Sequence, residues 1–149
     1  MNKKYLFLTA LIISFSYDIN AAKYDKKDPS ELYEEATNQL KKEDYKAAMK
    51  TLKKYTKAEK KDADGWTLLA FTNRKLKNYS KAETLYKKAL KLDPKNKIAL
   101  EYQGELYVEL DRIDEAKLNL SKLAELCPNS CKELEMLQNY IDGNSTKAW

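Results

Sequence analysis

The sequence predicts an all-α fold, a solenoid of helical hairpins, and the main observation behind this prediction is a 34-residue period. Small residues and large apolar residues each return after 34 positions, in three successive units. The step is kept by Ala48, Ala82 and Ala116, by Leu52, Tyr86 and Leu120, and by Leu32, Trp66 and Leu100. A period of this length is typical of arrays of two-helix repeats. Only three Gly and three Pro occur in 149 residues, which agrees with a mainly helical chain.

The first 21 residues are expected to be a cleaved secretory signal peptide. Two early lysines precede an apolar stretch from Tyr5 to Phe15, and small residues follow at Ala21 and Ala22. The stretch is about half of the ~20 apolar residues that a transmembrane helix requires. The pattern predicts export to a bacterial periplasm, or secretion, with cleavage after Ala21 or Ala22 preferred to cleavage after Ser16. An N-terminal helix packed on the solenoid is the alternative.

The units of the solenoid are expected in chain order. They are a loose charged end at 22–28, repeats at about 29–62, 63–96 and 97–130, a capping helix at 131–142 and a disordered tail at 143–149. Asp28 and Pro29 are typical of the start of a helix, so the first repeat is expected to begin there. Ser130 and Glu133 have the spacing of a capping box and predict the start of the capping helix. Solenoids need such a cap to cover their last repeat.

The second repeat carries the clearest motif, with DGWTLLA at 64–70 followed by NYSKA at 78–82. In these residues and in its period the chain resembles the tetratricopeptide repeat family, whose helices cross closely at small residues. The repeat core that the resemblance implies consists of Trp66, Leu69, Ala70, Tyr79, Ala82, Tyr86, Ala89, Pro94, Gly104 and Ala116. Trp66 is expected to be buried against the next hairpin. Gln103 stands where the family usually has an apolar residue.

The composition excludes several kinds of catalytic and binding site. The chain has no His, so neither a catalytic triad containing His nor a His-ligated zinc or haem site is possible. No glycine-rich phosphate loop occurs either. The formal charge is +5, but Lys alternates with Asp and Glu, which is typical of solvated helix faces rather than of a nucleic-acid groove. No catalytic residue, metal, cofactor or nucleic-acid partner is therefore expected.

The family resemblance also implies a binding groove. In that family, the first helix of each hairpin contributes to a concave wall that binds an extended peptide or a helix. The inward residues implied here are Tyr33, Thr37, Leu40, Thr67, Leu68, Phe71, Arg74, Glu101, Tyr102, Glu105 and Glu109. They divide into an apolar strip (Tyr33, Leu68, Phe71, Tyr102), an acidic row (Glu101, Glu105, Glu109) and other residues. Only Arg74 suits a clamp for a terminal carboxylate, so such a clamp is not expected. Packing of these residues on the capping helix or on a second copy of the protein is the alternative.

Two cysteines, Cys127 and Cys131, bracket the bend before the capping helix. In an exported protein an even number of cysteines at this spacing favours a disulfide, which here would attach the cap to the solenoid. Free thiols, a redox pair or a metal site are the alternatives.

The sequence as a whole favours an exported, non-enzymatic adaptor or scaffold that binds a protein or peptide segment. After signal cleavage, no stable insertion in a membrane is expected. Two other classes stay open at this point. One is a self-assembling structural protein, and the other is a thiol-based redox or assembly helper that uses Cys127 and Cys131.

Overall fold

The computed structural model describes residues 27–144 and contains seven helices in that range. They are α1 (Pro29–Lys41), α2 (Tyr45–Ala58), α3 (Ala63–Lys75), α4 (Tyr79–Leu92), α5 (Lys97–Glu109), α6 (Ile113–Leu126) and α7 (Lys132–Ile141). No strand occurs between residues 27 and 144, so the predicted all-α helical repeat fold is confirmed. The expected signal peptide, residues 22–26 of the expected loose end and the tail from residue 145 lie outside the described residues.

The helices form three hairpins that stack in chain order. Helix α1 pairs with α2, α3 with α4, and α5 with α6, while α2 packs on α3 and α4 on α5. The last helix, α7, packs on both α5 and α6, which is the position expected of a cap. Across residues 27–144, none of the helices is both long and apolar enough to cross a bilayer.

The 34-residue period recurs in the backbone of the hairpin turns. Glu43, Lys77 and Asp111 follow the first helices and have positive φ angles of 56°, 61° and 58°. In each turn the next residue donates its backbone N–H to a carbonyl five positions earlier, with N···O distances of 2.8 to 2.9 Å. Such left-handed residues close helix ends by satisfying carbonyls of the last turn. Gly143, at φ 75°, closes α7 in the same way, so the cap ends like the first helix of a hairpin.

The close helix crossings occur at small residues, as the repeat pattern predicts. Ala48, Ala70 and Ala82 are fully buried, and Tyr86 is a fully buried aromatic side chain in the same cluster. Of the expected repeat core, the residues that are buried are Leu69, Ala70, Ala82, Tyr86, Ala89, Gly104 and Ala116.

Three expected core residues differ from the prediction. Trp66 is only partly buried, because its indole N–H donates to the Lys60 carbonyl in the preceding loop, and the Lys88 ammonium lies 3.3 Å from its ring centroid. Tyr79 is also partly buried. Pro94 is exposed, since it lies in the turn after α4 and contributes there by ending the helix.

The cap begins one residue later than the capping box predicts. Cys131 is the N-cap residue of α7, and its side chain makes no capping hydrogen bond. Ser130 has a φ of 70°, which is not the extended conformation of an N-cap, and its hydroxyl donates to the Glu135 carboxylate at 2.8 Å. The predicted capping box is therefore wrong.

The polar residue Gln103 is accommodated by a partner. Its side-chain carbonyl accepts from the Asn119 amide at 3.0 Å, and the same amide donates to the Leu100 carbonyl at 3.0 Å. Both side chains are buried. A satisfied polar pair thus replaces the apolar contact that is usual at this position.

Candidate functional site

The side of α1, α3 and α5 that carries the expected groove residues is called the inner face below. Most of these residues are buried rather than exposed. The buried ones are Leu40, Thr67, Leu68, Phe71, Arg74, Glu101, Tyr102 and Glu105. Tyr33 and Thr37 are partly exposed, and Glu109 is exposed. The expected open strip is wrong in this respect, because α3 contacts α5 directly and the two helices cover each other's side chains.

A row of aromatic rings crosses the three hairpins. Phe71 of α3 lies between Tyr45 of α2, at 6.3 Å between ring centroids, and Tyr102 of α5, at 4.8 Å. Tyr33 does not join this row, since its ring pairs with Tyr55 at 5.2 Å. The apolar part of the inner face is therefore centred on Phe71, which is 1% exposed and forms its floor.

Arg74 is the centre of a charged network beside these rings. One terminal nitrogen donates to the Glu105 carboxylate, and the other donates to Glu109 at 2.8 Å. The hydroxyl of Tyr140, from α7, donates to the same Glu109 oxygen at 3.0 Å. Because Arg74 is 3% exposed and already binds two carboxylates, it is poorly placed to bind the carboxylate of a ligand. The network also links α3, α5 and α7.

The third member of the acidic row, Glu101, lacks such a partner. It is 3% exposed, and its Oε1 atom has no hydrogen-bond partner among the described residues. Burial, together with the nearby carboxylates of Glu105 and Glu133, raises the pKa of Glu101 to about 8. The acidic row is thus split into two carboxylates that Arg74 neutralises and one that it does not.

Three inner-face residues were missed by the sequence analysis, namely Tyr45, Lys75 and Tyr140. Lys75 is exposed, and its ammonium lies 5.3 Å from the Phe71 ring centroid. Its position could have been predicted, since Lys75 follows Phe71 by four residues and so lies one helical turn further on the same side. The roles of Tyr45 and Tyr140 depend on packing between helices, for which the sequence carries no local signal.

The two cysteines lie side by side at the start of the cap. The sulfur atoms of Cys127 and Cys131 are 2.15 Å apart, and their Cα atoms are 5.7 Å apart. This Cα separation falls in the range usual for disulfides. The geometry is compatible with the predicted disulfide, whose presence in the exported protein stays a prediction.

Family models match the middle of the chain. Two models described as tetratricopeptide repeat match residues 63–96 and 85–117. A relative, tetratricopeptide repeat protein 37 of Xenopus laevis, is 27% identical over 80% of this chain. The chain spans 9% of the length of that relative.

Solved structures of tetratricopeptide repeat domains share the fold. The first such domain of Spaghetti (RPAP3), bound to the HSP90 peptide SRMEEVD, is 23% identical with a TM-score of 0.69, over 80% of this chain and 94% of that one. The TPR2B domain of yeast Sti1, in a complex with pHsp70, is 22% identical with a TM-score of 0.68, over 77% and 96%. The translocator chaperone SycD of Yersinia enterocolitica is 21% identical with a TM-score of 0.68, over 78% and 87%.

These matches agree with the period in the sequence and with the stacked hairpins of the structure. The chain is a tetratricopeptide repeat protein with several repeats.

Proposed function

We propose that this protein is an exported, non-enzymatic adaptor that binds a polypeptide segment on its inner face. The observation that carries the proposal is the aromatic row of Tyr45, Phe71 and Tyr102, which crosses three hairpins. Exposed charges at Lys75 and Glu109 lie beside this row. An apolar floor with a polar border is the usual composition of a peptide-binding surface. The peptide complexes of the similar domains of Spaghetti and Sti1 support the same class of function.

The charges on the inner face favour binding over catalysis. Arg74, Glu105 and Glu109 are held by one another, so none of them is a free acid or base beside a cavity. The chain also has no His to act as a general base. We therefore expect the protein to act by holding a segment of a partner and not by transforming it.

A matched pair of charge reversals tests the binding surface. Lys75→Glu changes an exposed lysine on the inner face, whereas Lys54→Glu changes an exposed lysine on α2. Each tagged protein is purified from the envelope fraction, and the captured proteins are identified by mass spectrometry. We expect Lys75→Glu to lose a partner that the wild type and Lys54→Glu both retain. Equal capture by all three proteins, with circular dichroism showing that all are folded, would contradict the proposal.

The export of the protein rests on the sequence pattern of residues 1–21. Fractionation of the native cell, followed by measurement of the intact mass, tests it. We expect a protein outside the cytoplasm that has lost about 21 residues. A full-length protein in the cytoplasmic fraction would contradict export without affecting the peptide-binding proposal.

A further inference from the structure

The carboxylate of Glu101 is the least satisfied charged group on the inner face. Only 3% of the residue is exposed, and its Oε1 atom has no hydrogen-bond partner among residues 27–144. A buried acceptor without a partner typically destabilises a protein by about 1–3 kcal/mol. Such groups are rare in folded proteins, and each one requires a physical explanation.

Charged groups from three helices surround Glu101. Glu105 on its own helix and Glu133 at the start of α7 oppose its negative charge. Lys132 of α7 and Arg74 of α3 favour that charge, but neither donates a hydrogen bond to the free oxygen. The surroundings therefore contain acceptors in excess and lack one donor.

The same helix shows how a cation satisfies this face. Glu105 lies one helical turn after Glu101, and its carboxylate receives the buried guanidinium of Arg74. The second terminal nitrogen of Arg74 is taken by Glu109. Two members of the row thus have a cation from within the chain, and the first member does not. A charge-assisted hydrogen bond of the same kind would complete the row.

We propose that the inner face selects a partner segment that carries a lysine or arginine side chain, whose cation donates to Oε1 of Glu101. This inference rests on the proposed function, because it names the chemistry of the segment that binds there. The entering cation displaces the exposed side chain of Lys132, which is the chain's own competitor for this carboxylate. Negatively charged segments are disfavoured at this position by Glu101, Glu105 and Glu133.

A random heptapeptide library displayed on phage tests the selection. The wild type is compared with Glu101→Gln, which keeps the shape and removes the charge, and with Glu125→Gln, which changes an exposed carboxylate on α6. We expect the wild type and Glu125→Gln to enrich Lys or Arg at one peptide position. Glu101→Gln should still enrich apolar residues but lose this preference. Enrichment of Asp or Glu by the wild type, or an unchanged Lys or Arg preference in Glu101→Gln, would overturn the proposal.

The strongest arginine peptide from that selection then permits a direct measurement. We expect Glu101→Gln to bind it about 10- to 100-fold more weakly than the wild type does, as for loss of a charged hydrogen bond. A copy of the peptide with citrulline in place of arginine should bind the wild type as weakly, which tests the proposal without altering the protein. Equal affinity of the arginine and citrulline peptides for the wild type would overturn it.

Proton release adds a readout that a change in packing would not produce. Because the pKa of Glu101 is raised to about 8 when it has no partner, a cation that binds it at pH 7 should release a proton. Calorimetry in two buffers with different heats of ionisation measures this release, which should be absent in Glu101→Gln. If the wild type selects no peptide at all, the proposed function fails together with this inference. If it selects peptides without a cation and releases no proton, only this inference fails.

Discussion

Leu137 of the capping helix occupies the space that Gly104 leaves open on α5. A Cβ atom built on Gly104 would lie 2.6 Å from both methyl carbons of Leu137, which is closer than such atoms approach in real proteins. Leu137 is fully buried, so it has little room to move away. Glycine inside a helix usually destabilises it by about 1 kcal/mol relative to alanine. The contact with the cap therefore explains why glycine stands here.

Replacing Gly104 by Ala tests this contact. Although alanine favours the helix, we expect Gly104→Ala to reduce the free energy of unfolding by about 1–3 kcal/mol, because the added methyl overpacks the interface with α7. Urea unfolding measures the change. In the double variant Gly104→Ala/Leu137→Ala the two effects should not add, since the second change removes the atoms that clash. Additive effects would mean that the two residues do not constrain each other.

The second prediction concerns Cys127 and Cys131. If the disulfide forms, replacing both residues by Ser should destabilise the cap by about 2 kcal/mol, because the closed loop is short. Amide hydrogen exchange in 134–141 should increase, while α3 and α4 stay protected. The intact mass of protein purified without reductant provides the first check. A mass that corresponds to two free thiols would contradict the disulfide.

The third prediction compares two large aromatic side chains in the second repeat. Phe71→Ala should cost about 3–5 kcal/mol, as usual for a fully buried aromatic residue. Trp66→Ala should cost less, since Trp66 is only partly buried and part of its ring faces Lys88. Thermal unfolding of both variants measures the order. A larger loss for Trp66→Ala would show that the burial in this repeat is assigned incorrectly.

The fourth prediction is a pH dependence of stability. The pKa of Glu101 is raised to about 8 by burial and by Glu105 and Glu133, while an unfolded Glu has a value of about 4.3. Between these values the folded state holds a proton that the unfolded state has lost, so stability should fall as the pH rises from about 5 to 8. Urea unfolding across this range should show a steeper fall for the wild type than for Glu101→Gln. Burial also raises the pKa of Glu105, which remains in both proteins, so the difference between the two curves is the test. Parallel curves would rule out a raised pKa at Glu101.

The repeat fold could be predicted because its signal is carried by few residues with a simple cause. Ala48, Ala82 and Ala116 keep the 34-residue step and are all fully buried, since the helices approach closely there. The left-handed turn residues could not be predicted from their type. Glu43, at φ 56°, is not a residue that favours this conformation, and only its repeat position reveals it.

The candidate site was predictable in position but not in exposure. The helical period correctly places Phe71, Arg74 and Tyr102 on the inner face of the first helices. Whether such residues are open to a ligand depends on how closely α3 and α5 approach, and no local pattern encodes that distance. The same limit applies to Arg74, whose two carboxylate partners are 31 and 35 residues away in the sequence. The residues that stay accessible, such as Lys75, emerge only once the packing is known.

The central claim is that the inner face binds a polypeptide segment. Two-dimensional NMR of the protein, titrated with a heptapeptide selected from a random library, tests it most directly. We predict that the resonances that shift belong to partly or fully exposed inner-face residues, such as Tyr33, Thr37, Lys75 and Glu109. Lys54 on α2 and Leu118 on α6 should not shift. Shifts confined to α2, α4 and α6, with an unchanged inner face, would contradict the account.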